Sequence, residues 1–178
     1  GDDVITCVGS GTIVDASGLI LSNAHNTVPN SQCPGTSLIV ALIPGTDQPP
    51  IARFRAEIAN ASPGLDIALL RITPQLDGRP IETATLSLPF VEIAENPEVR
   101  LDDTIRVFGF TDIMSNSVQN ETGVINGFIS EPSNRERSWI KVEANIPGTM
   151  TGGGVYNQNG RLIGIPTTAT PSTHSRTC

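Results

Sequence analysis

The sequence is short of positive charge and has no long apolar segment. Its 178 residues contain 11 Lys and Arg against 18 Asp and Glu, which gives a formal net charge of −7. Nucleic-acid affinity depends on clustered Lys and Arg, so this balance argues against a nucleic-acid partner. No apolar run approaches the roughly 20 residues that cross a bilayer as a helix, and no signal-peptide pattern opens the sequence. We therefore expect neither nucleic-acid binding nor a membrane span.

Aromatic residues are also scarce, at 4% of the chain, whereas turn-forming residues are abundant. There are 17 Gly and 14 Pro, and Val, Ile and Thr recur throughout the sequence. β-branched residues favour strands, and Gly and Pro favour turns. No segment keeps a helical period for long, and we find no strong internal repeat. This composition indicates an all-β protein with many turns, long enough to bury a core.

Histidine and cysteine are few, which limits the kinds of site. With two His and no close Cys/His cluster we expect no metal site, and we predict no cofactor. Cys7 and Cys33 flank His25, and a disulfide between them would restrain that residue. Two buried free thiols are the alternative. Cys178 is left over, which indicates a partner outside this sequence or a free thiol. A disulfide favours an extracytoplasmic setting: secreted, periplasmic or cell-surface.

Short predicted strands fall into two groups. The first group covers residues 4–8, 12–14, 19–21, 37–43, 52–59 and 67–72, and the second covers 104–110, 122–129, 138–142 and 162–165. Between the groups, proline and glutamate are frequent, as in a solvated connector. We predict two packed antiparallel β-barrels, residues 1–88 and 101–178, joined by a connector at 89–100 within a single domain.

Three runs of sequence combine glycine-rich turns with residues that carry acid–base chemistry. They are GSGTIVDASGLILSNAH (9–25), LDIALLRI (65–72) and EANIPGTMTGGGV (143–155). In this order they resemble the trypsin-like (chymotrypsin-fold) serine proteases, and more narrowly the bacterial HtrA/Deg type. The resemblance covers essentially the whole chain. It implies two packed six-stranded-type antiparallel barrels with an active site between them, and endopeptidase activity on polypeptide substrates. The second barrel is then either truncated or ends in a short strand.

Matched position by position, the resemblance places His25 at the general base, Asp66 at the carboxylate that orients it, and Thr151 at the nucleophile. An imidazole titrates near neutral pH, so it can accept a hydroxyl proton and return it to a leaving amine. A carboxylate fixes the tautomer of the imidazole and stabilises the imidazolium. Taken alone, His25 would be interpreted as a core or capping histidine, and Asp66 as a turn aspartate before a strand.

Threonine at position 151 departs from the serine of the family. It keeps a hydroxyl, but its extra methyl group restricts χ1 and occupies space near the attacking oxygen. Threonine nucleophiles usually have an N-terminal amine as their base, whereas the base here would be His25. The substitution fits a slow nucleophile, a natural loss of activity, or a change introduced to silence the protein.

The same resemblance places the oxyanion hole at the backbone N–H groups of Thr149 and Thr151. Thr149 stands where the family normally has glycine. A backbone donor can come from any residue whose φ and ψ allow the geometry, and misplacing one such donor costs about 10²–10³ in rate.

A specificity pocket is implied just before the nucleophile and along the strand after it. Its predicted walls are Asn145, Ile146, Ile165, Pro166 and Thr167. None of these residues is charged, so small or apolar side chains are the predicted preference rather than Lys or Arg. For Ile146 and Ile165, burial in the barrel core is an equally good interpretation.

Two functions therefore compete. The first is an endopeptidase that uses His25, Asp66 and Thr151 through a covalent acyl-enzyme. The second is a catalytically silent pseudoprotease that binds a peptide or a partner protein in the same cleft. A hydrogen bond from the Thr151 hydroxyl to His25 would favour the enzyme, and a collapsed loop would favour the binding module. The sequence leaves the oligomeric state open.

Overall fold

The structure is a computed structural model that describes residues 7–95, 98–111, 117–130 and 137–168. These residues form two five-stranded antiparallel sheets. The first sheet contains β1 (Thr12–Asp15), β2 (Leu19–Ser22), β3 (Leu38–Leu42), β4 (Ile51–Ser62) and β5 (Ile67–Gln75). The second contains β6 (Thr104–Gly109), β7 (Gln119–Ser130), β8 (Arg137–Glu143), β9 (Gly154–Tyr156) and β10 (Leu162–Gly164).

Helical structure among these residues is short. A one-turn helix, α1 (Ala24–Thr27), follows β2, and single 3₁₀ turns lie at Pro63–Leu65, Thr83–Thr85 and Gly148–Met150. No helix in the described ranges has the length and apolar character needed to cross a bilayer.

The first sheet has the strand order β1-β2-β5-β4-β3 and packs its own core. Strand β5 alternates as a half-buried strand does: Ala68, Leu70 and Ile72 are buried, and Arg71 between them is exposed. Ile20 from β2 joins these side chains in one cluster.

The register of β2 against β5 brings two motifs together. Ser22, the last residue of β2, pairs with Ala68 near the start of β5. His25 follows β2 closely, and Asp66 immediately precedes β5. Two residues that are distant in sequence therefore reach the same end of the first sheet.

The second sheet has the order β10-β9-β6-β7-β8 and a separate core. Its buried members are Val99, Ile105, Val107, Ile125, Met150 and Val155. Met150 belongs to the glycine-rich run, and its residue is 0% exposed. The loop that carries Thr151 is thus anchored in the core of the second sheet.

In the described part of the connector most side chains are exposed, but Val99 is buried in the core of the second sheet and the backbone bonds to both sheets. The Val91 N–H donates to the Ile13 carbonyl of β1 at 3.0 Å. The Leu162 N–H of β10 donates to the Glu92 carbonyl at 2.8 Å, and the Ala94 N–H donates to the Leu162 carbonyl at 2.8 Å. The segment predicted as a solvated connector therefore binds an edge of each sheet. The domain boundaries themselves stay a prediction.

The all-β prediction with two antiparallel halves is confirmed. Each sheet has five strands in the described part of the chain rather than six; the predicted strand at 4–8 lies largely outside the described residues. The structure contains the disulfide between Cys7 and Cys33, with the two Cα atoms 5.7 Å apart. Cys178 lies outside the described residues.

Candidate active site

His25 lies on α1, just beyond the end of β2. The Thr27 hydroxyl donates to the Asn23 carbonyl at 2.7 Å, and the Val28 N–H donates to the Ala24 carbonyl at 2.8 Å, which together close the turn. The His25 side chain is 44% exposed. The backbone of α1 therefore holds the imidazole in place while leaving it accessible from solvent.

Asp66 precedes β5 in the left-handed backbone region, with φ 53° and ψ 40°. Aspartate visits this region more readily than most residues because its short polar side chain bonds locally. Its N–H donates to the Pro63 carbonyl at 3.1 Å, and Asn23 Nδ2 donates to its carbonyl, also at 3.1 Å. The side chain is 5% exposed. The backbone that carries this buried carboxylate is thus restrained by hydrogen bonds at both its N–H and its carbonyl.

The two side chains meet directly. His25 Nδ1 lies 2.8 Å from Oδ2 and 3.0 Å from Oδ1 of Asp66. The backbone N–H of His25 also donates to Oδ1, at 2.9 Å. Because Nδ1 faces the carboxylate, Nε2 is the ring nitrogen that faces away from it. This is the arrangement in which a carboxylate orients an imidazole base.

Thr167 contributes to this pair in a way that the sequence did not indicate. It is a predicted wall of the specificity pocket, but its hydroxyl donates to Oδ2 of Asp66. Asp66 therefore accepts from an imidazole, a backbone amide and a hydroxyl. No local pattern marks Thr167 for this contact, because it lies beyond β10 and reaches Asp66 only after both sheets have formed.

Thr151 lies in the loop after the 3₁₀ turn Gly148–Met150 and is 1% exposed. Its hydroxyl donates to the Gly148 carbonyl at 2.6 Å, and its N–H donates to the same carbonyl at 3.3 Å. In the described ranges, which include both residues, no hydrogen bond joins Thr151 to His25. The hydrogen bond between Thr151 and His25 that would favour the enzyme is therefore not formed in this conformation.

Two glycines after Thr151 are required by close packing. Gly152 has φ +85°, and a Cβ there would lie 2.3 Å from the Ser10 carbonyl oxygen. A Cβ at Gly153 would lie 2.0 Å from the Phe108 carbonyl oxygen. Real Cβ atoms do not approach oxygen so closely, so this part of the loop accepts only glycine without moving. The sequence correctly indicated both uses of glycine, positive φ and close approach.

Ser10 links the first sheet to this loop, and sequence reasoning missed it as a functional residue. Its N–H donates to the Thr151 carbonyl at 3.2 Å, and its hydroxyl donates to the Thr149 carbonyl at 3.0 Å. The hydroxyl oxygen also accepts the Phe110 N–H at 2.9 Å. The Ser22 hydroxyl in turn donates to the Ser10 carbonyl at 2.7 Å. The only sequence signal was its position between two glycines in the first motif.

The remaining predicted pocket residues do not share one environment. Ile146 packs against the core of the second sheet, which fits its interpretation as a core residue. Pro166 is buried, and its carbonyl accepts the Gly152 N–H at 3.0 Å. Ile165 is half-buried and Asn145 is exposed. A pocket with these walls stays a prediction.

Comparison with known sequences identifies the class of protein to which this fold and this His25–Asp66 pair belong. Residues 9–165 match the model of the trypsin-like peptidase domain family, so the chain belongs to that family. This is a family of serine-type hydrolases, since the relatives that this chain resembles are named as serine proteases.

Those relatives are of the HtrA/Deg type. The chain is 26% identical to serine protease HTRA3 of Homo sapiens and 27% identical to mitochondrial serine protease HTRA2 of Drosophila pseudoobscura pseudoobscura, over 94% and 93% of its length. It is 23% identical to a probable periplasmic DegP-like serine endoprotease of Pseudomonas putida (strain W619), over 89% of its length. These alignments cover 34%, 35% and 28% of the relatives, so the chain spans about a third of their length.

A solved structure supports the fold. The HtrA-type protease AlgW with a decapeptide superimposes with a TM-score of 0.65 at 23% identity, covering 92% of this chain and 43% of that one. The two curled sheets are thus the two halves of a chymotrypsin-like fold, as the sequence predicted.

Proposed function

We propose that this chain is an endopeptidase that hydrolyses peptide bonds with His25 as base, Asp66 as its orienting carboxylate and Thr151 as nucleophile. The observation that carries the proposal is the His25–Asp66 contact, 2.8 Å between Nδ1 and Oδ2, with Asp66 buried and His25 partly exposed. The same carboxylate accepts the backbone N–H of His25, which fixes the imidazole against it.

The proposed reaction has two halves. In the first, His25 Nε2 takes the proton of the Thr151 hydroxyl as Oγ1 bonds to the scissile carbonyl carbon; the C–N bond then breaks and the amine leaves with that proton. In the second, water attacks the acyl-threonine ester with His25 again as base, and the acid and the free hydroxyl are released. Asp66 keeps Nδ1 protonated and stabilises the imidazolium in both halves.

The conformation described above is a resting one under this proposal. The Thr151 hydroxyl must leave the Gly148 carbonyl and turn towards His25, and the Thr151 N–H must become free to bind an oxyanion. Both groups are bonded to one carbonyl, so one movement of the Gly148 carbonyl releases both. The HtrA-type resemblance implies activation by such a loop rearrangement.

Polypeptide is the proposed substrate class. The family consists of peptidases, and the similar solved structure AlgW is named with a decapeptide. The absence of charge among the predicted pocket residues favours small or apolar side chains at the cleavage site. We propose an extracytoplasmic location from the Cys7–Cys33 disulfide, since disulfides persist in oxidising compartments. The relatives do not decide the location, because one is named as mitochondrial and another as periplasmic.

The test is cleavage of an unstructured protein such as casein, read by fragment mass spectrometry. We expect slow cleavage by the parent chain, cleavage at least about tenfold faster by Thr151→Ser because the β-methyl is gone, and no cleavage by His25→Ala. Circular dichroism and thermal melting of each variant check that it is folded.

The outcomes separate the competing functions. If His25→Ala cleaves as fast as the parent, the proposed base is wrong and any activity comes from a contaminant or another site. If Thr151→Ser cleaves and the parent does not, threonine silences an otherwise complete site. If none of the three cleaves while all are folded, the hydrolase proposal fails, and peptide binding in the cleft becomes the function to measure.

A further inference from the structure

One hydrogen bond defines the four residues of the 3₁₀ turn before Thr151. The Met150 N–H donates to the Pro147 carbonyl at 2.9 Å, so Pro147 and Met150 are the first and fourth residues, and Gly148 and Thr149 are the two central ones. Neither central residue has a positive φ. A 3₁₀ turn of this kind has the dihedral angles of a type I turn, with negative φ at both central positions.

The peptide plane between Gly148 and Thr149 decides which group faces Thr151. Its carbonyl oxygen accepts both the hydroxyl and the N–H of Thr151. In a planar trans peptide the N–H points opposite to the carbonyl, so the Thr149 N–H faces away from Thr151. The two N–H groups proposed for the oxyanion hole therefore do not converge. For them to converge, this plane must turn over.

Turning that plane over converts the type I turn into a type II turn. The conversion takes φ of the third turn residue from about −90° to about +80°. The third residue here is Thr149, where the family normally has glycine. Glycine adopts positive φ freely, whereas a β-branched residue there is a marked outlier. The second turn residue, Gly148, keeps a negative φ in both forms.

Two hydrogen bonds add to this restraint. The Thr149 hydroxyl donates to the Thr111 carbonyl, and the Thr149 carbonyl accepts the Ser10 hydroxyl at 3.0 Å. These bonds fix the Thr149 side chain and the peptide plane that follows it, so the plane between Gly148 and Thr149 can turn only through ψ of Gly148 and φ of Thr149. Gly148, by contrast, has open space around it: a Cβ there would meet nothing within 4 Å. The resistance to turning the plane is thus concentrated on Thr149.

We propose that Thr149 is a conformational brake on the oxyanion hole of this chain. Its Cβ opposes the positive φ that the assembled hole requires, so the type I turn is the stable form. Substrate binding must then supply the free-energy difference between the type I and type II turns. This inference rests on the proposed function for its effect on rate, but not for its effect on the turn. Thr149 is a positioning residue, since its side chain acts through the orientation of a peptide plane.

The test compares Thr149→Gly with Thr149→Ala, each in the parent and in Thr151→Ser. Glycine removes the strain at positive φ, which is about 1–2 kcal/mol for a residue with a Cβ. We therefore expect kcat/KM to rise about 5- to 30-fold in Thr149→Gly, because less of the substrate's binding energy is spent on turning the plane. Alanine removes the hydroxyl and the branch but keeps Cβ, so we expect less than about a threefold rise. Thr149→Asn, which tolerates positive φ, replaces the glycine variant if that one does not fold.

Crystal structures of the variants separate this inference from the proposed function. A type II turn with positive φ at residue 149 in Thr149→Gly supports the brake even if no variant cleaves, and in that case only the hydrolase proposal fails. A type I turn retained in Thr149→Gly, bound to a peptide inhibitor or free, overturns the brake. An equal rise in Thr149→Ala and Thr149→Gly also overturns it, because the hydroxyl rather than the backbone would then hold the turn.

Discussion

The two sides of the candidate site are in different states. On the first sheet, His25 and Asp66 are joined at 2.8 Å, and Asn23 holds the Asp66 carbonyl at 3.1 Å. On the second, the Thr151 hydroxyl bonds to the Gly148 carbonyl at 2.6 Å and not to His25. The register between β2 and β5 brings the two residues of the first side to the same end of the sheet. The second side depends on the orientation of one peptide plane, which sheet pairing does not determine. The proposed base is therefore already oriented by its carboxylate, whereas the proposed nucleophile is not yet oriented towards the base.

The largest expected effect comes from breaking the assembled side. Under the proposed function, Asp66→Asn lowers kcat by about 10³–10⁴, because an amide that donates to Nδ1 selects the wrong tautomer of the imidazole. The fold should persist, since asparagine tolerates the φ of 53° and the bonds to the Asp66 backbone remain. Casein cleavage in the Thr151→Ser background gives the rate.

Asp77→Asn is the matched control, because it removes one negative charge at an exposed site where the carboxylate pairs with Arg79. Its kcat should equal that of the parent. If Asp66→Asn keeps more than a tenth of the rate, the His25–Asp66 contact is not the catalytic pair that we propose.

The second prediction concerns the packed part of the loop. In Gly153→Ala the new Cβ would lie 2.0 Å from the Phe108 carbonyl oxygen, so the loop or β6 must move. We expect the free energy of unfolding to fall by about 1–3 kcal/mol, as in other overpacked sites, and Tm to fall by several degrees. Thermal melting measures it. Gly64→Ala, where a Cβ meets nothing within 4 Å, should stay within about 0.5 kcal/mol of the parent. Equal stability of the two variants would show that the loop is not fixed by this close approach.

The sequence predicted the features that arise within one sheet better than the contacts that join distant segments. The strand groups predicted two antiparallel halves, and three motifs in order predicted that His25 and Asp66 would meet. Those features depend on local composition and on a resemblance that covers the chain. The roles of Ser10 and Thr167 were not predictable, because each acts through contacts between segments about 100 residues or more apart. The one-turn helix around His25 was also missed, since four residues carry no periodic signal.

The last prediction tests whether Thr167 belongs to the assembled side or to the specificity pocket. Thr167→Val keeps the shape of the side chain and removes the hydroxyl that donates to Asp66. A hydrogen bond to a charged group contributes about 1.5–3 kcal/mol, so we expect kcat to fall about 10- to 150-fold with KM nearly unchanged, and Thr167→Ser to restore most of the loss. Steady-state kinetics on one peptide substrate separates the two parameters. A raised KM with kcat preserved would instead place Thr167 in the pocket that its sequence position predicted, and the His25–Asp66 pair would then be held by Asn23, the Pro63 carbonyl and the α1 backbone.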